Sequence, residues 1–296
     1  MNPVGDTFWR HVAACNNLGT AAARQPFRIG AEAVGRLSPA IVEALAGWPG
    51  CRADAAGVTL AGDLRTVPRR TAALAAAAEH LAARGLLRRR GEAFDVRATA
   101  AGPVLATLDR GALPAFGILS QGVHVNGLVR CPGGHLDALR LWVGWRARDK
   151  AVAPGQLDNL VAGGIPAGLS AAATLVKEAA EEASLPADLA RRARPVGRVS
   201  YAMAEAAGTR RDVLHCFDLD VPEDFVPVPN DDEVERFELW PAARVLEAVR
   251  DTGTVKFNVN LVLIDLFLRH RLIDPDGEAG RRLRAGLEQG VLDRGP

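Results

Sequence analysis

The stretch Gly163–Pro186, GGIPAGLSAAATLVKEAAEEASLP, joins a glycine-containing loop to an alanine-rich segment with helical spacing. Ser170 is a typical helix N-cap residue, and the proline at the end of the stretch stops the helix. Glu178, Glu181 and Glu182 stand at i, i+3 and i+4, so a helix places them on one arc. Because carboxylates this close repel one another, they favour a cation among them, or else full solvation on an ordinary amphipathic helix.

The loop before this helix contains Gly163, Gly164 and Gly168. Glycine allows backbone angles and close approaches that a side chain forbids, so a carbonyl or amide in the loop can face an ion or a phosphate. Hard divalent ions such as Mg²⁺ and Mn²⁺ prefer oxygen ligands. Loop and helix together therefore predict phosphate chemistry, with Mg²⁺ or Mn²⁺ as the cofactor.

The composition describes a globular chain without a dominant charge. Of its 296 residues, 48% are hydrophobic, and 36 basic against 35 acidic residues leave a formal net charge of +1. We therefore expect no nucleic-acid and no membrane partner. The four cysteines form no CxxC pair, and the first residues lack the order of a secretory signal. These features favour a cytoplasmic protein.

The chain divides into three parts by its pattern. Residues 1–114 predict a smaller accessory unit of α+β type, 115–275 a layered domain, and 276–296 a helical tail. Pro114 and Gly117 suggest a linker between the first two parts. In the second part, alternating apolar segments predict strands, and an apolar segment at 256–273 predicts a buried helix. An α+β fold follows from this alternation.

A basic run, Arg88–Arg90, precedes a short segment in which Phe94 and Val96 alternate with polar residues. Helix, basic turn and hairpin are typical of a winged DNA-binding module. The alternative is a solvated surface loop. The absence of a net basic excess favours the loop.

The stretch that begins at Gly163 resembles the Nudix box, which is Gly, five residues, Glu, seven residues, then Arg-Glu, an aliphatic, any residue, Glu-Glu, any residue, Gly and an aliphatic. Aligned here, the glycine falls on Gly163 and the closing aliphatic on Leu185. The family's acids fall on Glu178, Glu181 and Glu182. Three positions depart from the box, where the family has glutamate, arginine and glycine: Leu169, Lys177 and Ser184.

The resemblance implies a Nudix α/β/α sandwich with a mixed sheet. The run LDNLVAGGI, 157–165, and the presence of an N-terminal unit resemble the Nudix subgroup associated with thiamine pyrophosphokinase. That subgroup implies a metal-dependent hydrolase that cleaves the diphosphate bond of thiamine diphosphate or an oxidised analogue. Because Leu169 and Lys177 replace two residues that brace the box, the alternative is a catalytically weakened protein that binds or senses such a ligand.

The resemblance also implies roles for individual residues. Glu178, Glu181 and Glu182 become metal ligands and catalytic residues, with the Gly163 carbonyl as a further ligand. The acidic loop at 230–238 offers Glu233 as a catalytic base; simple solvation of the loop is the alternative.

Substrate binding is predicted at a second group of residues. Arg146, Arg148 and Lys150 alternate along an extended segment, so they share one side and can clamp a phosphate; exposed edge charges are the alternative. Asn159 and Gly164, in the run and loop described above, are further substrate-binding candidates. Four aromatic residues are candidates for stacking on a ring or for the core: Trp142, Trp145, Tyr201 and Phe257. A homodimer is a further expectation from the family.

Overall fold

The computed structural model describes residues 3–18, 24–130 and 139–289. Its N-terminal part contains a four-stranded sheet with the order β2-β1-β4-β3 and a separate hairpin of β5 and β6. Strands β1 and β4 are parallel, and the other pairs are antiparallel. The elements are α1 (Pro3–Cys15), β1 (Gln25–Ile29), β2 (Glu32–Leu37), α2 (Pro39–Ala46), β3 (Cys51–Asp54), β4 (Gly57–Leu60), α3 (Val67–Ala83), β5 (Ala93–Val96) and β6 (Ala106–Asp109).

The C-terminal part is built on a seven-stranded sheet with the order β11-β12-β7-β8-β13, in which β10 also pairs with β7 and β9 with β8. Strands β7 and β12 are parallel and the other pairs antiparallel, so the sheet is mixed as predicted. The elements are α4 (Leu113–Phe116), β7 (Leu119–Arg130), β8 (Leu139–Arg146), β9 (Leu157–Asp158), β10 (Val161–Gly164), α5 (Ala171–Ala183), α6 (Ala187–Ala190), β11 (Arg194–Glu205), β12 (Gly208–Asp220), β13 (Val234–Pro241), α7 (Ala242–Asp251), α8 (Phe257–Arg269) and α9 (Glu278–Leu287).

Helices cover both faces of this sheet. Along β12, Leu214 and Cys216 pack in the apolar cluster of α8, whereas Phe217 and Leu219 pack in the cluster of α5. This alternation is the two-residue period of a strand with both faces covered. It confirms the α/β/α sandwich and the buried helix predicted at 256–273. Among the described helices, none combines the length and the apolarity that crossing a membrane requires.

The segment predicted as a linker is packed against both units. A short 3₁₀ helix, Arg110–Ala112, leads into α4, where Phe116 is fully buried. The Phe116 ring lies 5.0 Å from the ring of Phe27 on β1, measured between centroids. Apolar burial therefore joins the two units at this point instead of an open linker.

Helix α1 belongs by its packing to the C-terminal core. Phe8 and Val12 are buried in the cluster of α8, and Phe8 meets Phe267 edge to face at a centroid distance of 6.4 Å. Leu283 and Leu287 of α9 lie in the same cluster, so the predicted helical tail packs as an ordered helix up to that point. The division at residue 114 stays a prediction, and residues 290–296 of the tail lie outside the described part of the chain.

One departure from the Nudix box, Ser184, lies at the end of α5. Ser184 adopts the left-handed conformation, with φ of 52° and ψ of 30°, at the residue that follows the helix. A side chain is disfavoured there, which is why glycine commonly occupies this position.

We expect Ser184→Gly to raise the free energy of unfolding by about 0.5 to 1 kcal/mol, because glycine adopts this conformation without strain. Urea denaturation measures the change. Ala180→Gly, at an exposed position inside the same helix, is the control and should lower stability by about 1 kcal/mol. Equal effects of the two substitutions would contradict the conformational explanation.

Candidate active site

Glu182 is turned from α5 towards strand β10. Its carboxylate is buried, and its Oε2 accepts a hydrogen bond of 2.9 Å from the backbone N–H of Ala162. Burial raises the pKa of Glu182 well above its usual value; the Ala162 N–H opposes this shift, and repulsion from Asp158, Glu178 and Glu233 adds to it. A buried carboxylate with three acidic neighbours is a position that a cation would stabilise.

Glu178 lies directly against Gly163. A Cβ on Gly163 would lie 2.5 Å from the Glu178 Cδ, so only glycine leaves room for this carboxylate. Burial raises the pKa of Glu178, and hydrogen bonding to Lys177 partly offsets the effect. The Gly163 carbonyl, predicted as a metal ligand, lies close to Gly122 of β7, where a Cβ would be 3.0 Å from the oxygen.

Lys177 lies between two of the predicted ligands. Its Nζ donates to Glu178 Oε1 at 3.1 Å and to Glu181 Oε2 at 2.5 Å. The Glu181 side chain is half exposed. The ammonium group thus neutralises the pair in the position where the family has arginine.

The three glutamates do not converge on one point. Within residues 3–18, 24–130 and 139–289, no group of three or more His, Cys, Asp or Glu side chains is arranged to hold a metal ion. The residues present nevertheless fit a hard divalent ion, because the donor atoms of the three glutamates are all oxygens. One of them, the Glu178 carboxylate, fills the space beside Gly163. Glu178, Glu182 and, after release from Lys177, Glu181 are the residues that would hold it.

Glu233 is brought near the helix acids from a distant loop. Its repulsion contributes to the raised pKa of both Glu178 and Glu182. The Lys150 Nζ lies 3.4 Å from Glu233 Oε1. Glu233 therefore lies within range of electrostatic repulsion from the predicted metal ligands, and Lys150 pairs with it.

The predicted phosphate clamp is not assembled. Arg146 is held in a buried ion pair, with its Nη1 2.9 Å from Asp158 Oδ2, so its guanidinium is not free for a substrate. Arg148 extends into solvent, where its Nε lies 3.9 Å from Glu235 Oε1. The alternation of these residues along the chain predicts that they share one side. In the structure, Arg146 pairs with buried Asp158 and Arg148 lies near Glu235 in solvent.

Asn159 belongs to a buried chain of hydrogen bonds. His124 Nδ1 lies 2.8 Å from Asn159 Oδ1, and Asn159 Nδ2 donates to Asn126 Oδ1 at 2.8 Å. Asn126 in turn donates to Asp218 Oδ1 at 2.9 Å, and Arg269 pairs with that carboxylate. Burial lowers the pKa of His124 to about 4, so its ring is neutral at pH 7. In this structure Asn159 supports the sheet instead of facing an opening.

A cavity of about 330 Å³ lies between the accessory unit and the sheet. Ala162 and Gly163 line it from β10, the same residues that contact Glu182 and Glu178. Gly164 also lines the cavity and packs against Phe94, whose Cζ would lie 2.6 Å from a Cβ at this position. Six basic side chains line the cavity: Arg88, Arg90, Arg110, Arg210, Arg211 and Lys256.

The sequence pattern does not predict this cavity. The run at Arg88–Arg90 predicts a solvated loop or a DNA contact instead. Of the aromatic candidates, Trp142 and Tyr201 are buried in the core. Phe94, which is not one of those candidates, is also buried but lines the cavity. A local pattern could have indicated the basic turn, but not that it faces a strand some seventy residues further along the chain.

Comparison with known proteins agrees with this architecture. Residues 122–257 match the family model of the NUDIX domain, and residues 7–120 match a model described as a domain of unknown function, DUF4743. The chain is 46% identical over 187 residues to "Nudix hydrolase 20, chloroplastic" of Arabidopsis thaliana, which covers 63% of this chain and 49% of the relative. It is 43% identical over 201 residues to "Nudix hydrolase 24, chloroplastic" of the same plant, covering 67% of this chain and 54% of the relative.

The chain thus spans about half the length of the curated relatives it matches. Among solved structures, the crystal structure of DR0079 from Deinococcus radiodurans is similar with a TM-score of 0.40 and 18% identity, over 65% of this chain and 98% of that one. Because the two plant relatives are named as chloroplastic, the cytoplasmic location stays a prediction from composition. The homodimer also stays a prediction.

The mixed sheet between two helical layers, with an acidic helix against a glycine strand, defines a domain of the α/β/α sandwich class. Residues 122–257 of this domain match the NUDIX family model. This match agrees with the resemblance carried by Gly163, Glu178, Glu181 and Glu182.

Proposed function

We propose that the protein is a metal-dependent Nudix hydrolase that cleaves a diphosphate bond. One observation carries the proposal: Glu178 and Glu182 contact strand β10 from one side, and the same strand lines a basic cavity. Carboxylates suited to a cation thus contact a strand that also lines a cavity with arginines suited to an anion. This is the combination of charges that a metal-bound diphosphate ester requires.

The chain's own residues then take distinct roles. Glu178, Glu182 and Glu181 would hold the cation, and the buried hydrogen bond from Ala162 fixes the orientation of the Glu182 carboxylate. A bound divalent ion would supply charge neutralisation at the leaving phosphate and activation of water. Glu233 would act as the base that accepts a proton from water, and Lys150 pairs with the Glu233 side chain.

For the substrate we propose thiamine diphosphate or an oxidised analogue. The support is the resemblance of the run 157–165 and of the N-terminal unit to the thiamine-associated Nudix subgroup. The cavity volume of about 330 Å³ is within the range of small-molecule sites. Acidic residues Glu205 and Asp212 also line the cavity, where both pair with Arg210.

Lys177 favours a second function. Its ammonium already pairs with Glu178 and Glu181, and Leu169, in place of the family's first glutamate, is partly exposed. Both features weaken metal binding. A protein that binds or senses a diphosphate ligand without turning it over would retain the cavity and tolerate this pairing.

Phosphate release from a panel of diphosphates separates the two functions. The panel contains thiamine diphosphate, its oxidised analogues and nucleoside diphosphates, each with Mg²⁺, with Mn²⁺ and with EDTA. We expect turnover with metal and none with EDTA. Binding of a panel member without metal-dependent turnover would support the second function and overturn the first.

We further expect Gly163→Ala to lower this turnover by about 10- to 100-fold, because the new Cβ displaces the Glu178 carboxylate. Steady-state kinetics on the best panel substrate measures the loss. Gly253→Ala is the matched control, since nothing lies within 4 Å of a Cβ there. Unchanged kinetics in Gly163→Ala would contradict a role for Glu178 at this position.

A further inference from the structure

We propose that the accessory unit binds the phosphate groups of the substrate, through the side chains of Arg88 and Arg90. This inference rests on the proposed function, because it assigns the phosphate contacts of that same site. Both arginines precede strand β5, and both line the cavity whose opposite wall is formed by β10 of the Nudix domain.

The charge of the cavity favours an anionic ligand. Six basic side chains line it against two acidic ones, Glu205 and Asp212. Several of the basic groups are already neutralised within the protein: Arg210 pairs with both of these acids, Arg110 with Glu92 and Lys256 with Asp158.

Arg88 and Arg90 differ from these groups. Among residues 3–18, 24–130 and 139–289, neither side chain has an ion-pair or hydrogen-bond partner. Both residues are exposed and line the same cavity, so their guanidinium groups are available to an anion. Arginine also matches phosphate oxygens with paired N–H donors.

The turn that carries the two arginines is held in place. The Asp109 carboxylate accepts hydrogen bonds from the backbone N–H groups of Arg90 at 2.9 Å, Gly91 at 2.7 Å and Gly111 at 2.8 Å. Although burial opposes its ionisation, these donors lower the pKa of Asp109, so it stays charged and bonded. The arginines therefore extend from a fixed backbone, which reduces the entropy lost on binding.

A separate observation, at the start of α8, also favours a polar ligand in the cavity. Asn258, at the start of α8, lines the cavity and is 6% exposed. Its Oδ1 has no hydrogen-bond partner among the described residues. A buried acceptor without a donor is costly, and a donor on the ligand would satisfy it.

Arg89 provides an internal control for charge. It lies between the two arginines in sequence but does not line the cavity; its guanidinium pairs with Glu79 on α3 and lies 3.9 Å from Asp109 Oδ2. Replacing any of the three arginines removes one positive charge from the same turn. Arg89 differs from the other two in its ion pairs and in its position outside the cavity lining.

The first experiment measures binding of inorganic diphosphate by calorimetry, in EDTA and with the full chain. We expect Arg88→Ala and Arg90→Ala each to raise the Kd about tenfold, and Arg89→Ala to change it less than twofold. Arg88→Lys should recover part of the affinity. Equal affinity in wild type and both cavity variants, or an equal loss in Arg89→Ala, overturns the proposal.

The second experiment uses whichever panel substrate the wild type hydrolyses. The double variant Arg88→Ala, Arg90→Ala should raise KM at least tenfold with kcat within about threefold. If the wild type hydrolyses nothing, the proposed activity fails, while the diphosphate titration still decides this inference. A double variant that loses salt-dependent affinity for duplex DNA but keeps its diphosphate affinity would overturn it in favour of a nucleic-acid contact.

Discussion

Replacing Glu182 with glutamine is expected to lower metal-dependent hydrolysis by about 10²- to 10³-fold, as the loss of one charged ligand to a catalytic cation would. Glutamine keeps the acceptor for the Ala162 N–H, so the local fold is preserved. Because Glu182 lies in the protein interior, its negative charge costs free energy in the absence of a cation.

The same substitution should therefore leave stability unchanged or increase it. Loss of activity together with equal or greater stability is typical of a residue retained for function. Initial rates of phosphate release and urea denaturation measure the two quantities on one preparation.

Glu247→Gln is the control for this experiment, since Glu247 is an exposed glutamate on α7. It should change neither activity nor stability by a measurable amount. A Glu182→Gln protein that hydrolyses the substrate at the wild-type rate would remove Glu182 from the metal site. A folded but inactive wild type would instead remove the enzymatic function itself.

The second large effect is expected on stability. Asp158 lies between two cations, with its Oδ2 2.9 Å from Arg146 Nη1 and 2.8 Å from Lys256 Nζ. All three side chains are nearly buried. Asp158→Asn keeps the size of the side chain but leaves two buried positive charges without a counter-charge, and we expect it to lower the free energy of unfolding by about 3 kcal/mol.

Asp220→Asn is the control for this prediction. Asp220 also pairs with two arginines, Arg130 and Arg194, but its side chain is 44% exposed. Ion pairs in solvent contribute little to stability, so Asp220→Asn should lower the free energy of unfolding by less than about 1 kcal/mol. Equal losses in the two variants would show that burial does not determine the strength of the Asp158 contacts.

The stability of the wild type should also depend on pH through Asp158. Burial opposes its ionisation, but Lys256, His124 and Arg146 outweigh this and lower its pKa to about 2. A depressed pKa contributes stability above the unfolded value of 3.8, and that contribution is lost as the pH falls towards 2. The stability gap between wild type and Asp158→Asn should narrow by about 2 kcal/mol between pH 5 and pH 2. A gap independent of pH would contradict this explanation.

Local patterns predicted much of the secondary structure. The side chain of Ser170 accepts a hydrogen bond from the Ala173 N–H at the start of α5, as expected of an N-cap residue. The alternation of Phe94 and Val96 corresponds to two buried side chains on β5. These features depend on neighbours within a few residues, so they can be predicted from the sequence alone.

Contacts between distant residues were not predictable in this way. The extended segment predicts that Arg146 binds phosphate, but its guanidinium pairs with Asp158, which Lys256 also contacts. The partner Lys256 follows more than one hundred residues later and reaches Asp158 only because the segment before α8 runs beside β9. The alternation of side chains along one strand cannot predict a contact between segments so far apart in the sequence.

By itself, the sequence determined that three glutamates share one arc of a helix behind a glycine loop, because helix geometry relates positions i, i+3 and i+4 without reference to the rest of the chain. Only the tertiary structure decided that Glu178 fills the space beside Gly163, that Glu233 joins the acids, and that a basic turn of the accessory unit faces the same strand. Those relations depend on the register of the sheet and on the packing of two units against each other, which are set by long-range burial of apolar surface.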